Sequence, residues 1–265
     1  MAYNSAAGFD FDFDLNALCM GHITGNTANT NIIAFPDNFT TEAKALGADT
    51  ETTANGFEVI RPFFAAPEAL YSISPFGESG LIKDVVEKIG AASSAASSAA
   101  SKEKKVLLKL NGPYSVLASL VKPELFYRWC AKYREAIHFA LNSITTSMEI
   151  YLNKAIDSGA GLVSLTDPYA KVSILGEKRY REFAGAYLLK LLRSVDGAGT
   201  VIHLCPHSSI PLVQFGYFKT KDIPVNSDSY LDALVRQSGP LLLGNRCIYT
   251  GKIDSITSLI YTGSQ

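Results

Sequence analysis

Leu162-Val163-Ser164-Leu165-Thr166-Asp167-Pro168 carries the clearest mark of the fold class in the chain. Leu162 to Thr166 reads as a short buried strand. Asp167-Pro168 ends it, because proline has no N–H to give to a ladder and restricts the residue before it. The spacing then predicts a helix from about Lys178 to Arg193, with Phe183, Tyr187, Leu188, Leu191 and Leu192 on its apolar face. The same order recurs on both sides. Upstream, Val106 to Leu110 is an apolar run closed by Asn111-Gly112-Pro113, and a long helical region with one break runs from about Pro123 to Ser158. Downstream, Val201 to Cys205 ends at Pro206, a weaker helix lies between Ser208 and Gly216, a further helix spans Asp228 to Gln237, and Leu241 to Leu243 ends at Gly244. Short apolar strands alternating with helices imply parallel strands covered on both faces. A (β/α) barrel and an open doubly wound sheet both satisfy this. No Gly-x-Gly-x-x-Gly follows the first strand, which favours the barrel.

The rest of the chain is less regular. Residues 1–50 mix Gly, Asn, Thr and aromatics and read as an irregular N-terminal segment, apart from the apolar piece Ile32-Ile33-Ala34-Phe35. From Glu78, the residues Leu81, Ile82, Val85, Val86 and Ile89 recur at helical spacing. The Ala/Ser tract that follows, residues 91–101, either extends that helix or forms a surface loop. A chain of 265 residues with 47% hydrophobic and 18% charged residues can build one sizeable core, so a single domain over residues 1–265 is expected. A formal net charge of −1 offers no basic surface for nucleic acid. The apolar runs fall far short of the ~20 residues of a membrane helix. Cysteines at 19, 130, 205 and 247 lack the spacing of a disulfide framework, and no signal peptide is visible, so a cytoplasmic protein is expected.

Polar residues of a particular kind sit at the strand ends: Asn111, Asp167, the pair His203 and Cys205, and Asn245 with Cys247. In parallel α/β folds the carboxyl ends of the strands share one edge, so these positions converge there. His203 and Cys205 are two apart on a strand and therefore share a face. Zinc takes imidazole nitrogen and thiolate sulfur, and catalytic zinc keeps one position open beside three protein ligands. His203, Cys205 and Cys247 are the candidate set. Asp167 is a candidate to orient a ligating imidazole or to cap a turn, and Asn111 and Asn245 are candidates to bind substrate or cofactor or to satisfy loop backbone. Cys19, His22, Cys130 and His138 read as structural.

The segments Gly159 to Ala170, Val201-Ile202-His203-Leu204-Cys205-Pro206 and Leu243-Gly244-Asn245-Arg246-Cys247 resemble the uroporphyrinogen decarboxylase superfamily, as does Leu110-Asn111-Gly112-Pro113-Tyr114. Within it they look most like the zinc-dependent methylcobamide:thiol methyltransferases. That resemblance implies a (β/α)8 TIM barrel, Zn2+, and a methylated corrinoid on a separate protein as methyl donor to a small thiol such as coenzyme M. The chain is shorter than typical members, and in several of them the third zinc cysteine lies further along than Cys247. The alternatives are a decarboxylase-type lyase of the same superfamily and a non-catalytic corrinoid- or tetrapyrrole-binding protein.

Overall fold

The computed structural model describes residues 32–35, 40–52, 58–98 and 104–263. After strand β1 (Ile32–Phe35) come a short helix α1 (Thr41–Ala45) and a small antiparallel pair, β2 (Thr50–Thr52) with β3 (Glu58–Ile60). Helix α2 (Gly80–Ser98) leads to β4 (Lys105–Asn111). Three helices follow, α3 (Pro113–Ser119), α4 (Pro123–Lys132) and α5 (Arg134–Asp157), the last two being the long helical region broken at Tyr133. Strand β5 (Ala160–Thr166) contains the apolar run Leu162 to Thr166. Helix α6 (Val172–Arg179), a π-helical segment (Tyr180–Gly185) and α7 (Ala186–Arg193) return the chain to β6 (Val201–Leu204). The remaining elements are α8 (Pro206–Gln214), β7 (Phe218–Ser227), α9 (Tyr230–Arg236), β8 (Leu241–Gly244) and β9 (Ile253–Tyr261).

The seven-stranded sheet has the order β1-β4-β5-β6-β8-β9-β7. Its first five strands are parallel and lie side by side in chain order, which is the order of a barrel wound in one direction and not of a sheet that reverses in the middle. The α/β class is therefore as the sequence indicates. At the C-terminal end β8 meets β9 antiparallel and β9 meets β7 antiparallel. The β/α repeat gives way there, because β8 takes the place beside β6 and β7 is left to pair with β9. Among the described residues no pairing joins β1 to β7. Strands β7 and β9 escape the sequence reading, although Ile253, Ser255, Thr257, Leu259 and Tyr261 of β9 hold to the strand period of two.

Alternation along the parallel strands sorts residues onto two faces. Val106, Leu108, Leu110, Val163, Leu165, Ile202 and Leu204 face the large helix-side core, with α3, α5 and α7 supplying Leu117, Ile137, Leu141, Ile144, Leu188 and Leu191. Leu107, Leu162, Val201 and Leu243 face the other way, into a smaller inner core with Ile253 and Ile256 of β9 and with Tyr230, Ala233 and Leu234 of α9. The Ala/Ser tract continues α2 to Ser98, where Ala96 is buried and Ser93 packs against Gly159 at the start of β5.

Candidate active site

On the inner face the ladder sets Lys109 opposite Ser164, Ser164 opposite His203, and His203 opposite Leu243. His203 is 1% exposed. Its Nε2 lies 3.0 Å from the Arg246 carbonyl oxygen and its Nδ1 lies 3.1 Å from Ser164 Oγ. A carbonyl can only accept, so Nε2 carries the proton and Nδ1 holds the lone pair that accepts from the Ser164 hydroxyl. Burial pushes the imidazole down to about 4 against the pull of the Arg246 carbonyl, so it is neutral near pH 7. The Tyr230 ring stands edge-on to it at 5.6 Å.

Cys205 follows β6 directly, continues its ladder through an N–H bond to the Leu165 carbonyl at 3.0 Å, and precedes Pro206, which opens α8. It is half-buried. Burial pushes its thiol up, the His207 backbone N–H and the Thr166 side chain pull it back, and the nearby Cys247 sulfur pushes it up again. Cys205 and Cys247 thus lie within each other's electrostatic reach. Cys247 sits in the turn after β8, its carbonyl accepting from Thr250 N–H at 2.9 Å.

The donor types fit zinc, and His203 is already oriented as a ligand should be, with one ring N–H on a carbonyl and the other nitrogen carrying a lone pair. Proximity is incomplete. Among the described residues no three His, Cys, Asp or Glu side chains gather around a common point, and Nδ1 of His203 is occupied by Ser164.

Asp167 is fully buried and is held by serines at the starts of α3 and α8. Its Oδ1 accepts from Ser115 N–H at 2.8 Å at the start of α3, and its own N–H donates to Ser208 Oγ at 3.2 Å. Ser115 Oγ in turn accepts from Tyr169 N–H at 2.9 Å, so the ends of β4 and β5 are braced against each other. A side chain at Gly112 would collide with the Asp167 carboxylate, which explains the glycine in that turn. Oδ2 of Asp167 is buried without a hydrogen-bond partner, and burial raises the acid to about 7 despite the Ser115 bonds. Asn111 closes β4, is 9% exposed, and donates its N–H to Glu42 Oε1 at 3.3 Å. Glu42 repeats the pattern of Asp167: it is 1% exposed, its Oε2 has no partner, and burial raises it to about 7. Asn245 has a left-handed backbone with φ 64°, donates its N–H to Ser209 Oγ at 2.8 Å, and keeps a buried Oδ1 without a partner.

Glu42, Ser164 and Arg246 escaped the sequence reading. Ser164 carried a signal, as a hydroxyl on the inner face of an otherwise apolar strand, and Arg246 carried one as a charge between Asn245 and Cys247. Glu42 carried none, because nothing in its surroundings marks it as buried. Cys130 is buried and packs in the helix-side core, while His138 contacts Tyr187 and Glu182 on the helical surface. Cys19 and His22 lie outside the described residues.

The model of the family described as uroporphyrinogen decarboxylase (URO-D) matches residues 27–261. The chain belongs to that family. Two methylcobamide:CoM methyltransferases named MtaA are similar to it, one from Methanosarcina barkeri at 26% identity and one from its strain Fusaro at 22%. Each similarity spans 68% of this chain and 48% of the relative, so the chain spans about half the length of the curated relatives it matches. A solved methyltransferase from Methanosarcina mazei superposes with a TM-score of 0.56 at 21% identity, covering 75% of this chain and 56% of that one. No helix among the described residues is long and apolar enough to cross a membrane.

Proposed function

We propose that this URO-D family protein transfers a methyl group from a methylated corrinoid, presented by a separate protein, to a small thiol, with coenzyme M the first acceptor to test. His203, Cys205 and Cys247 are the proposed Zn2+ ligands. The observation that carries the reading is the fixed tautomer of His203: the Arg246 carbonyl holds Nε2–H and leaves Nδ1 as the donor atom, two residues before a half-buried thiol on the same face. The similarity to methylcobamide:CoM methyltransferases supports it.

When bound, zinc would stabilise the acceptor as its thiolate, the nucleophilic form that a free thiol scarcely populates at neutral pH. The chain's own residues do the rest. Ser164 must turn its hydroxyl away from Nδ1, and Cys205 and Cys247 must give up their protons. Arg246 keeps the imidazole from rotating by its carbonyl. Asp167 and Ser115 hold the β4 and β5 ends in a fixed relation, so that Asn111 and, across the edge, Asn245 face the substrate from constant positions. The corrinoid would supply the methyl group as an electrophile, with its cobalt keeping the electron pair of the bond that the acceptor sulfur replaces.

Metal analysis of protein purified without added zinc tests the ligands: about one zinc per chain is expected, lost in Cys205→Ala and in His203→Ala and kept in Cys130→Ala. Anaerobic incubation with methylcobalamin and coenzyme M should give the spectrum of the reduced corrinoid. Zinc-loaded protein that demethylates no methylcorrinoid with any small thiol overturns the proposal, and full zinc retention in Cys247→Ala removes that residue from the ligand set.

A further inference from the structure

Arg246 contributes more than its carbonyl. Its guanidinium leaves the turn after β8 between Asn245 and Cys247, and Nη2 donates to Ser255 Oγ of β9 at a long 3.4 Å. Its charge is felt by the Tyr230 phenol, on the ring that stands edge-on to His203. Arg61, Arg134 and Arg181 are each paired with a glutamate, whereas Arg246 forms no ion pair among the described residues. A half-buried guanidinium is a fork of donors shaped for a carboxylate, phosphate or sulfonate. Here that fork belongs to the residue whose carbonyl anchors the imidazole and which directly precedes a proposed ligand cysteine, and it is held by one weak hydroxyl contact that an anion can displace.

We propose that Arg246, with Ser255 and Tyr230 beside it, is the subsite for the anionic end of the acceptor thiol. The inference rests on the methyl-transfer reading for the identity of the acceptor, and on the geometry alone for the anion. The selectivity this implies is for a thiol that carries an acidic group on a short chain, because Arg246 directly precedes Cys247, and a neutral thiol leaves that charge unanswered.

The test uses Arg246→Gln, which removes the charge and keeps the backbone carbonyl that anchors His203. Losing a charge-assisted bond predicts a KM for 2-mercaptoethanesulfonate raised roughly ten- to hundredfold. The KM values for 2-mercaptoethanol and for methylcobalamin should stay within about twofold, and zinc content should be unchanged, because uniform binding of one tail is all that is removed. Arg246→Lys should recover part of the loss, since it restores charge without the fork. Ethanesulfonate and propionate, which carry the anion without the thiol, should raise the melting temperature of the wild type and not of Arg246→Gln. Stronger stabilisation by propionate supports the subsite and makes the tail a carboxylate. An equal loss for charged and neutral thiols overturns the proposal, as does a loss that appears in the methylcobalamin KM. If no thiol is methylated, the ethanesulfonate and propionate arm still decides: stabilisation abolished in Arg246→Gln supports the subsite, and no stabilisation of the wild type by either anion overturns it.

Discussion

Leu165 and Ser164 are neighbours in β5 and belong to opposite faces of one sheet. Leu165 is fully buried in the helix-side core, among side chains that any apolar residue of similar volume would satisfy. Ser164 lies on the inner face in the row Lys109, Ser164 and His203, where one hydroxyl meets one ring nitrogen. Burial of hydrocarbon is non-directional and scales with area, whereas a hydrogen bond depends on particular atoms. The helix side therefore carries the larger apolar core, and on the inner face, beside a smaller one, the Ser164 hydroxyl and the Arg246 carbonyl fix which nitrogen of His203 carries the proton.

The sharpest way to break this division is to truncate both neighbours. Leu165→Ala should lower unfolding stability by about 2–5 kcal/mol, the range for a leucine removed from a packed core. Ser164→Ala should lower it by about 0.5–1.5 kcal/mol, the net worth of one hydrogen bond, and should shift the His203 Nδ1 resonance in nitrogen NMR while Nε2 stays protonated. Urea titrations measure the first pair of values. A Ser164→Ala variant as unstable as Leu165→Ala would show that the inner face is ordinary core.

The carboxyl edge, where the two faces meet, carries the next effect. Glu42 and Asp167 are both raised to about 7 by burial, from 4.5 and 3.8. The sign follows from proton counting: between those unfolded values and about 7 the folded chain holds protons that the unfolded chain has released. Stability contributed by the protonated acids is complete below pH 4 and falls as pH rises through the window. Each acid should account for about 2–3 kcal/mol lost between pH 5 and pH 8. Urea midpoints at the two pH values check this, and Asp167→Asn should remove about half of the drop. Stability that is flat or that rises over this window would mean that the orphaned oxygens reach water.

The parallel half of the fold was legible because its strands are apolar runs ended by Pro or Gly, and both Val201 to Leu204 and Leu241 to Gly244 lie where that punctuation puts them. The antiparallel pair was not, since the β7 run Lys219 to Asp222 is solvent-exposed and lacks the apolar signal that marks a strand. For the site, strand-end convergence brought Asn111, Asp167, His203 and Cys205 to one edge, but partners were beyond reach. Nothing in the sequence says that Asp167 accepts from Ser115 or that His203 meets Arg246, because both bonds join segments more than 40 residues apart. The composition of the Ala/Ser tract suits helix and loop alike, and Gly159, whose lack of a side chain lets Ser93 pack against it, belongs to the helical outcome.

The smallest expected effect separates the backbone role of Asn245 from its proposed contact with substrate. Its φ of 64° is a conformation that Gly and Asn adopt readily and other residues only at a cost. Gly244 before it has no room for a side chain against Ser209 and Leu259, so the turn cannot relax backwards to relieve the strain. Asn245→Ala should therefore cost about 1–2 kcal/mol of stability, the left-handed penalty for an L side chain. Asn245→Gly should cost a few tenths, as the gain in backbone freedom of the unfolded chain is offset by removal of a buried Oδ1 that has no partner. The N–H bond to Ser209 Oγ survives in both variants, because it is made by the main chain. If Asn245 also binds substrate, the glycine variant will keep its melting temperature and lose affinity for thiol or corrinoid. If its role is confined to the turn, Asn245→Gly will match the wild type in both measurements, and the carboxyl edge of β8 will belong with the helix side as a holder of fold.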